Sequence, residues 1–339
     1  MKYKFLFVGI LWMVIHSCSQ PSTEKYQKSR DNIVNVKAKI VEIPMDSVLC
    51  NNMCAVYLHE DKFIITDSKS FDLQIHIFDK RDFTHLVSTA PHGQGPAEIA
   101  NMGPVLFSDS LFFVEDFGKF VFFKYNIDSL LHDPDFVPQV AYRLNGTEFP
   151  VRTCLLNDTI AYSIIMKPTG TYGFNQYTAK WNLQTGEFVP LTDLHPEIKT
   201  KRYKMAISSR YNLLVENYHR QNLLVIRNLD DGSLKYNIRG DEPSNGWQRH
   251  VEYFELLPQI CKDKIVCGYK GESTDETPEN PLAAWGTKLI LFTLDGDYIQ
   301  TLETGYRIND FCYDEEMNRI IFSFNDDIQF GYLDMNGIM

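Results

Sequence analysis

Long apolar runs, concentrated positive charge and helical periodicity are all scarce in this 339-residue chain. Its longest apolar run, Phe5 to Ile15, is too short to cross a bilayer, which takes roughly 20 residues. Lys and Arg number 33 against 44 Asp and Glu, a formal charge of −11 at pH 7, and they form no dense stretch. Phosphate-backbone binding scales with the number of neutralising cations, so nucleic acid is excluded as an expected partner. No CxxC, HxH or HExxH spacing occurs, no Gly-x-Ser-x-Gly elbow and no Walker lysine motif. Compact zinc sites, nucleophile elbows and phosphate loops are therefore not indicated. What the chain does hold is 44% hydrophobic and 13% aromatic residues. That content excludes general disorder, and a chain of about 300 residues buries roughly three quarters of its unfolded surface without disulfide support.

The amino terminus reads as an export signal: Lys2 and Lys4 lead the Phe5–Ile15 run and Cys18 follows. Ile15-His16-Ser17-Cys18 resembles a bacterial lipobox. The resemblance implies a signal peptide over 1–17, lipidation of Cys18 and anchoring at a membrane surface, the outer membrane of a Gram-negative bacterium being the expected location. Residues 18–32 are polar and lack apolar periodicity, so they are expected as a tether to one domain spanning 33–339. Six further cysteines remain: Cys50, Cys54, Cys154, Cys261, Cys267 and Cys312. Were Cys50 and Cys54 on one extended strand they would stand about 13 Å apart, beyond disulfide reach. Buried free thiols are the expectation.

From about residue 36 the chain is a series of short Val-, Ile-, Phe- and Tyr-rich runs broken by Asp, Asn and Gly turns. Strand-into-turn phrases begin at Ile77, Tyr125, Trp181, Arg227, Phe292 and Tyr332, at spacings of 48, 56, 46, 65 and 40. Second hairpin signals stand before most of them, at Glu60-Asp61, Ser108-Asp109-Ser110, Asn157-Asp158 and Lys262-Asp263-Lys264. Six units of about four antiparallel strands each point to an all-β, six-bladed β-propeller. The last unit ends one strand short, and the alternating run Asn35–Ile43 is expected to complete it as the outer strand.

Gly93-Gln94-Gly95-Pro96-Ala97-Glu98, taken with the lipobox, resembles the TolB-like six-bladed propeller lipoproteins of bacteria, where the segment often reads Gly-Arg-Gly-Pro-Gly-Glu before an aromatic residue. Gln94, Ala97 and Ile99 depart from that pattern. The resemblance implies a fold and an envelope location but no defined activity. Physically, Gly93 and Gly95 permit close backbone approach, Pro96 stiffens the exit, and Glu98 is placed to cap backbone amides in a blade-connecting loop.

In such a ring the crossovers between blades share one face with the turns between second and third strands. The long connections are of these kinds: 90–103, 144–152, 193–207 and 240–252, with insertions at 167–176 and 271–286. They carry Tyr172, Phe174, Arg202, Tyr203, Trp247, Arg249, His250 and Trp285. Aromatic and Arg side chains off regular strands suit recognition of a glycan, a peptide or an envelope protein. Glu98, Asp116, Glu216 and Asp310 stand where strands of adjoining blades begin or end, and His92, His195, His219 and His250 lie in different units. A divalent metal gathered from several blades, serving a propeller hydrolase or lyase, is the alternative reading. With no catalytic constellation legible, binding is favoured over catalysis, by a monomer since no exposed heptads call for an oligomer.

Overall fold

The computed structural model describes residues 23–27, 29–133, 136–144, 146–170, 173–193, 203–219, 221–240, 251–273 and 285–338. The chain opens with three short strands, β1 (Glu24–Tyr26), β2 (Ile33–Asn35) and β3 (Ile40–Glu42). Six meanders follow. Blade I holds β4 (Ala55–His59), β5 (Lys62–Thr66), β6 (Leu73–Asp79) and β7 (His85–Pro91). Blade II holds β8 (Met102–Ser108), β9 (Leu111–Asp116), β10 (Val121–Asn126) and β11 (Gln139–Arg143), with a short helix α1 (Ile127–His132). Blade III holds β12 (Phe149–Leu155), β13 (Ile160–Pro168), β14 (Phe174–Asn182) and β15 (Phe188–Asp193). Blade IV holds β16 (Tyr203–Ser208), β17 (Leu213–Tyr218), β18 (Leu223–Asn228) and β19 (Leu234–Arg239). In blade V, β20 (Val251–Phe254) and β21 (Gln259–Cys261) both pair with β22 (Lys264–Ser273), followed by β23 (Lys288–Thr293) and β24 (Tyr298–Glu303). Blade VI holds β25 (Ile308–Asp314), β26 (Arg319–Phe324) and β27 (Phe330–Asp334).

The middle strands read as nearly unbroken apolar runs because both faces are covered. In β5, Phe63 and Ile65 face blade VI while Ile64 faces blade II. Among the described residues every pair of neighbouring blades shares one apolar core, including the pair VI and I, so the sheets close into a ring. The first strand of each blade lies nearest the axis, against the first strands of its neighbours. Turns between first and second strands carry positive φ at Glu60, Asp109, Asn212, Lys262 and Asn318, while Gly186, Gly232 and Gly296 supply it between third and fourth strands. At Tyr125-Asn126 the expected tight turn is instead α1, whose first turn is capped by Asn126 accepting from the Ser129 amide at 2.7 Å.

The amino-terminal segment closes the ring, but not as one strand over 35–43. β3 pairs antiparallel with β27, Ile40 opposite Leu333, and so becomes the fourth strand of blade VI. Before it, Val36 is buried in the core between blades V and VI, and a 3-10 turn at Lys37–Lys39 carries the chain from one blade edge to the next. Residues 23–27, within the stretch expected as a tether, are also laid on the propeller wall. β1 runs parallel to β19 and β2 parallel to β24, extending the outer edges of blades IV and V. Side chains hold the segment there: Glu24 pairs with Arg239 at 2.9 Å, Lys25 with Asp297 at 2.9 Å, and Arg30 donates to Asn222 at 2.7 Å beneath the rings of Phe254, Tyr269 and Phe292.

Blades VI and I are joined further inward. The Val56 amide donates to Asp310 at 3.0 Å and Asn309 donates to the Cys54 carbonyl at 2.6 Å. Arg319, buried between the rings of Phe83 and Tyr332, meets Asp314 at 3.2 Å, and Lys80 meets the same carboxylate at 3.5 Å. Deleting residues 33–44 is expected to lower the melting temperature by on the order of 10 °C, since each kcal/mol is worth roughly 2 °C in a domain of this size. An unchanged melt by calorimetry would refute closure by this segment.

Candidate functional site

The connections 193–207, 240–252 and 271–286 lie largely outside the described residues, and the 90–103 crossover shows how a long loop between blades is held. Glu98 folds back so that Gly95 N–H donates to its carboxylate at 2.6 Å, and Lys119 Nζ donates to the carbonyls of Gly95 and Glu98 at 2.6 and 2.7 Å. A Cβ on Gly93 would stand 2.0 Å from the Glu98 carboxylate, and one on Gly95 2.8 Å from its carbon. The glycines are there to admit that carboxylate. Pro96 lies in the same turn.

Asp116 belongs to the same scaffolding: it accepts from the amides of Ala100, Asn101 and Gly118 at 2.9 to 3.1 Å. Asp67 and Asp326, which the sequence reading passed over, act alike at the ends of the second strands of blades I and VI. They accept from the amides of Asn51 at 2.8 Å and Arg307 at 3.1 Å, each just ahead of the blade's first strand. Glu216 is consumed too, accepting from Thr178 at 3.0 Å and Arg227 at 3.2 Å inside the protein. Among the described residues, no group of three or more His, Cys, Asp and Glu is arranged to hold a metal.

Of the aromatic and basic residues expected at a binding rim, Tyr172, Arg202, Trp247, Arg249 and His250 lie outside the described residues, as does Cys18. Phe174 begins β14 and Trp285 precedes β23; both are half-buried and neither lines the axial cavity. Tyr203 is interior instead. Its ring stacks on Tyr218 at 5.3 Å, its hydroxyl meets Thr178 at 2.9 Å, and burial beside Glu216 raises its pKa well above the usual tyrosine value. Its position at the start of β16 turns it into the core between blades III and IV rather than outward. The six cysteines are free. Cys50 and Cys54 are on a loop, not an extended strand, and their thiols interact: that hydrogen bond, then burial, pushes the Cys54 thiol up.

The structure gathers a different constellation along the axis. A cavity of about 370 Å³ is lined from five blades, by Tyr57, Pro104–Phe107, Arg152–Leu155, Met205–Ile207 and Leu257–Ile260. Arg152, on the inner strand β12, is half-buried and has no ion pair or side-chain hydrogen bond among the described residues. Acidic and phenolic groups of three other blades feel its charge: Glu115, Asp310 and Tyr57. Burial raises Asp310 to about 6, opposed by the Val56 and Phe311 amides and by Lys204 and Arg152. Burial, then Asp310, raises Tyr57 to about 12.

Glu115 is 1% exposed and neither carboxyl oxygen has a partner. It sits opposite the bulge at Gly103 and Pro104, on the face of β9 turned toward blade III. Burial pushes its carboxyl to about 9 against the pull of Arg152. A charge inside the apolar runs Leu111–Asp116 and Phe149–Leu155 was the sequence signal for Glu115 and Arg152.

A second cleft, of about 850 Å³, opens between the chain entering blade I at 47–53 and the turn at 69–73, with His76, His85 and Ser88 along its wall.

Similarity to known proteins gives the fold alone. No protein-family model matches the chain and no curated protein matches it. Among solved structures, a Bacteroides fragilis protein described as exported is 11% identical with a TM-score of 0.57, over 88% of this chain and 87% of that one. A member of the DUF4221 family from Bacteroides vulgatus is also 11% identical, TM-score 0.57, over 87% and 96%. Regucalcin from Agrobacterium tumefaciens, a calcium-binding protein, is 11% identical, TM-score 0.53, over 89% and 95%. The chain is thus a six-bladed propeller related in structure to distant bacterial proteins; nothing in the comparisons is specific to TolB.

Because folding keeps on Glu115 a proton that the unfolded chain loses above about 4.5, stability falls as pH rises from there toward about 9. Glu115→Gln removes that loss. It is expected to melt a few degrees above the wild type at pH 8 and level with it near pH 4.5; an equal offset at both pH values would show that Glu115 is not held neutral.

Proposed function

We propose that the protein is a lipid-anchored cell-envelope propeller acting as a monomeric binding scaffold, taking a carboxylate-bearing glycan or peptide through its loop-rich face. The observation that carries this reading is Arg152, a cation lining the axial cavity with no acidic partner at ion-pairing distance among the described residues. A guanidinium half-withdrawn from water is strongly favoured to meet a planar carboxylate with two parallel hydrogen bonds. Tyr57 beside it offers an apolar ring, and Met205, Ile207 and Leu257 form an apolar wall, the mixture expected of a small-ligand site. The lipobox-like Ile15–Cys18 segment and the likeness to a protein described as exported support the envelope location. No observation among the described residues favours the metal-dependent hydrolase or lyase over binding.

An array of acidic and neutral glycans and peptides tests the site. Binding is expected to be confined to acid-bearing members, and Arg152→Met is expected to weaken it at least tenfold, on the scale of a hydrogen bond to a charged group, about 1.5–3 kcal/mol. Neutral ligands bound equally well, or full affinity retained by the variant, would refute it. Cys18→Ser is expected to move the protein from the membrane to the soluble fraction on cell fractionation; unchanged membrane association would sink the anchor.

A further inference from the structure

The cleft on blade I lies away from the axis, and its chemistry is of another kind. Its rim is apolar and open to water: Leu49 is 96% exposed, Phe71 92% and Met53 51%. Side chains of this size left in solvent together, around one concavity, mark a contact site more often than chance exposure does. Ser47, Asn51, Asn52, Lys69, Ser70 and Asp72 lie among these apolar side chains at the mouth, and one polar cluster lies on the sheet wall itself. Ser88 Oγ on β7 lies 2.8 Å from His76 Nδ1 on β6 and 2.8 Å from His85 Nε2. A hydroxyl has one proton to give, so it donates to one imidazole and accepts from the other. The three groups thus form a short relay whose inner end is buried and unsatisfied: His76 is 5% exposed and its Nε2 has no partner.

We propose that this cleft binds a phenol-type group, an aromatic ring whose hydroxyl completes the relay at His76 Nε2. Leaving that nitrogen unsatisfied is costly, which gives the free protein a reason to take a ligand there. A hydroxyl fits either direction of the relay, because it donates when Nε2 is bare and accepts when Nε2 carries the proton. A carboxylate fits less well, because burial and then the neighbouring His85 hold His76 toward its neutral form. The ring also has a matching surface, since Phe71 stands edge-on to His92, 6.4 Å away, and leaves its own faces free for stacking. Lys69 and Asp72 at the border oppose each other in sign and add no preference for an ion.

The measurement is methyl NMR on methionine-labelled protein, with Met53 reporting this cleft and Met205 the axial cavity. Titrations use p-cresol, toluene and N-acetyl-tyrosinamide. p-Cresol is expected to shift Met53 and leave Met205 unmoved, binding at least tenfold tighter than toluene. His76→Phe is expected to lose that preference while still binding toluene; Ser88→Ala, a smaller change, is expected to reduce it. If N-acetyl-tyrosinamide matches p-cresol, the physiological source is a peptide tyrosine; if it is much weaker, the source is a free phenol. Absence of a Met53 shift with p-cresol, equal affinity for toluene, or a preference that survives His76→Phe would each overturn the proposal. Because Met205 is read in the same spectra, failure here is distinguishable from failure of the axial site.

Discussion

Closure of the ring is the constraint on which everything else depends. A sheet with two buried faces is stable only if both neighbours are present, and the ring provides them for all six sheets at once. The chain is interrupted within blade VI, between β27 and the fourth strand β3, which is borrowed from the amino terminus and runs on into blade I. That interruption alone would leave blade VI and its junction with blade I the weakest part of the ring. It is instead stitched at three radii: by Asn309 and Asp310 near the axis, by Arg319, Asp314 and Lys80 within the interface, and by β3 at the wall. The buried charges there specify more than they stabilise. Buried ion pairs are often no better than apolar packing, yet losing one partner alone typically costs about 3–5 kcal/mol.

The same ring separates two kinds of polar side chain. Asp67, Asp116 and Asp326 terminate second strands and hold the amides of the chain that enters the first strand, so each couples a crossover to its own blade. Glu98 does this within one loop. These acids resemble ligands in a sequence and are fully engaged in the fold. Glu115 and His76 are the opposite case: both carboxyl oxygens of Glu115 and the Nε2 of His76 are buried without a hydrogen-bond partner, while Arg152 lines the axial cavity half-buried and unpaired among the described residues. A protein interior tolerates few such groups, and Arg152 and His76 stand beside cavities, where such groups carry functional meaning.

The amino-terminal strap adds a mechanical consequence. β1, β2 and β3 cross the outer edges of blades IV, V and VI in succession, two parallel and one antiparallel. Edge strands are otherwise open to pairing with other chains, and these are covered. Arg30 shows how firmly the strap is seated: its guanidinium lies against three aromatic rings, and burial lowers its pKa. A stretch of polar composition is here part of the folded body because its backbone pairs with a sheet edge and its charged side chains find partners on the same wall.

Strand number, blade count and turn positions were legible in the sequence because they rest on local chemistry: apolar runs of strand length, and Asn, Asp and Gly where the backbone reverses. The Asn35–Ile43 run was legible only in part, since Lys37–Lys39 leave the strand to change blades, and that step depends on where two sheet edges stand in space. Tyr203 looked like a rim residue and is a core residue, because the direction of a side chain at a strand end is set by the neighbouring blade. The sequence by itself thus determined a closed ring of six sheets. Only the tertiary structure decided that Arg152 and Tyr57 line one axial cavity with Glu115 and Asp310 within reach of the Arg152 charge, and that His76 and His85 meet across Ser88. Proximity between residues far apart in the chain is a property of packed sheets and leaves no periodic mark in the sequence.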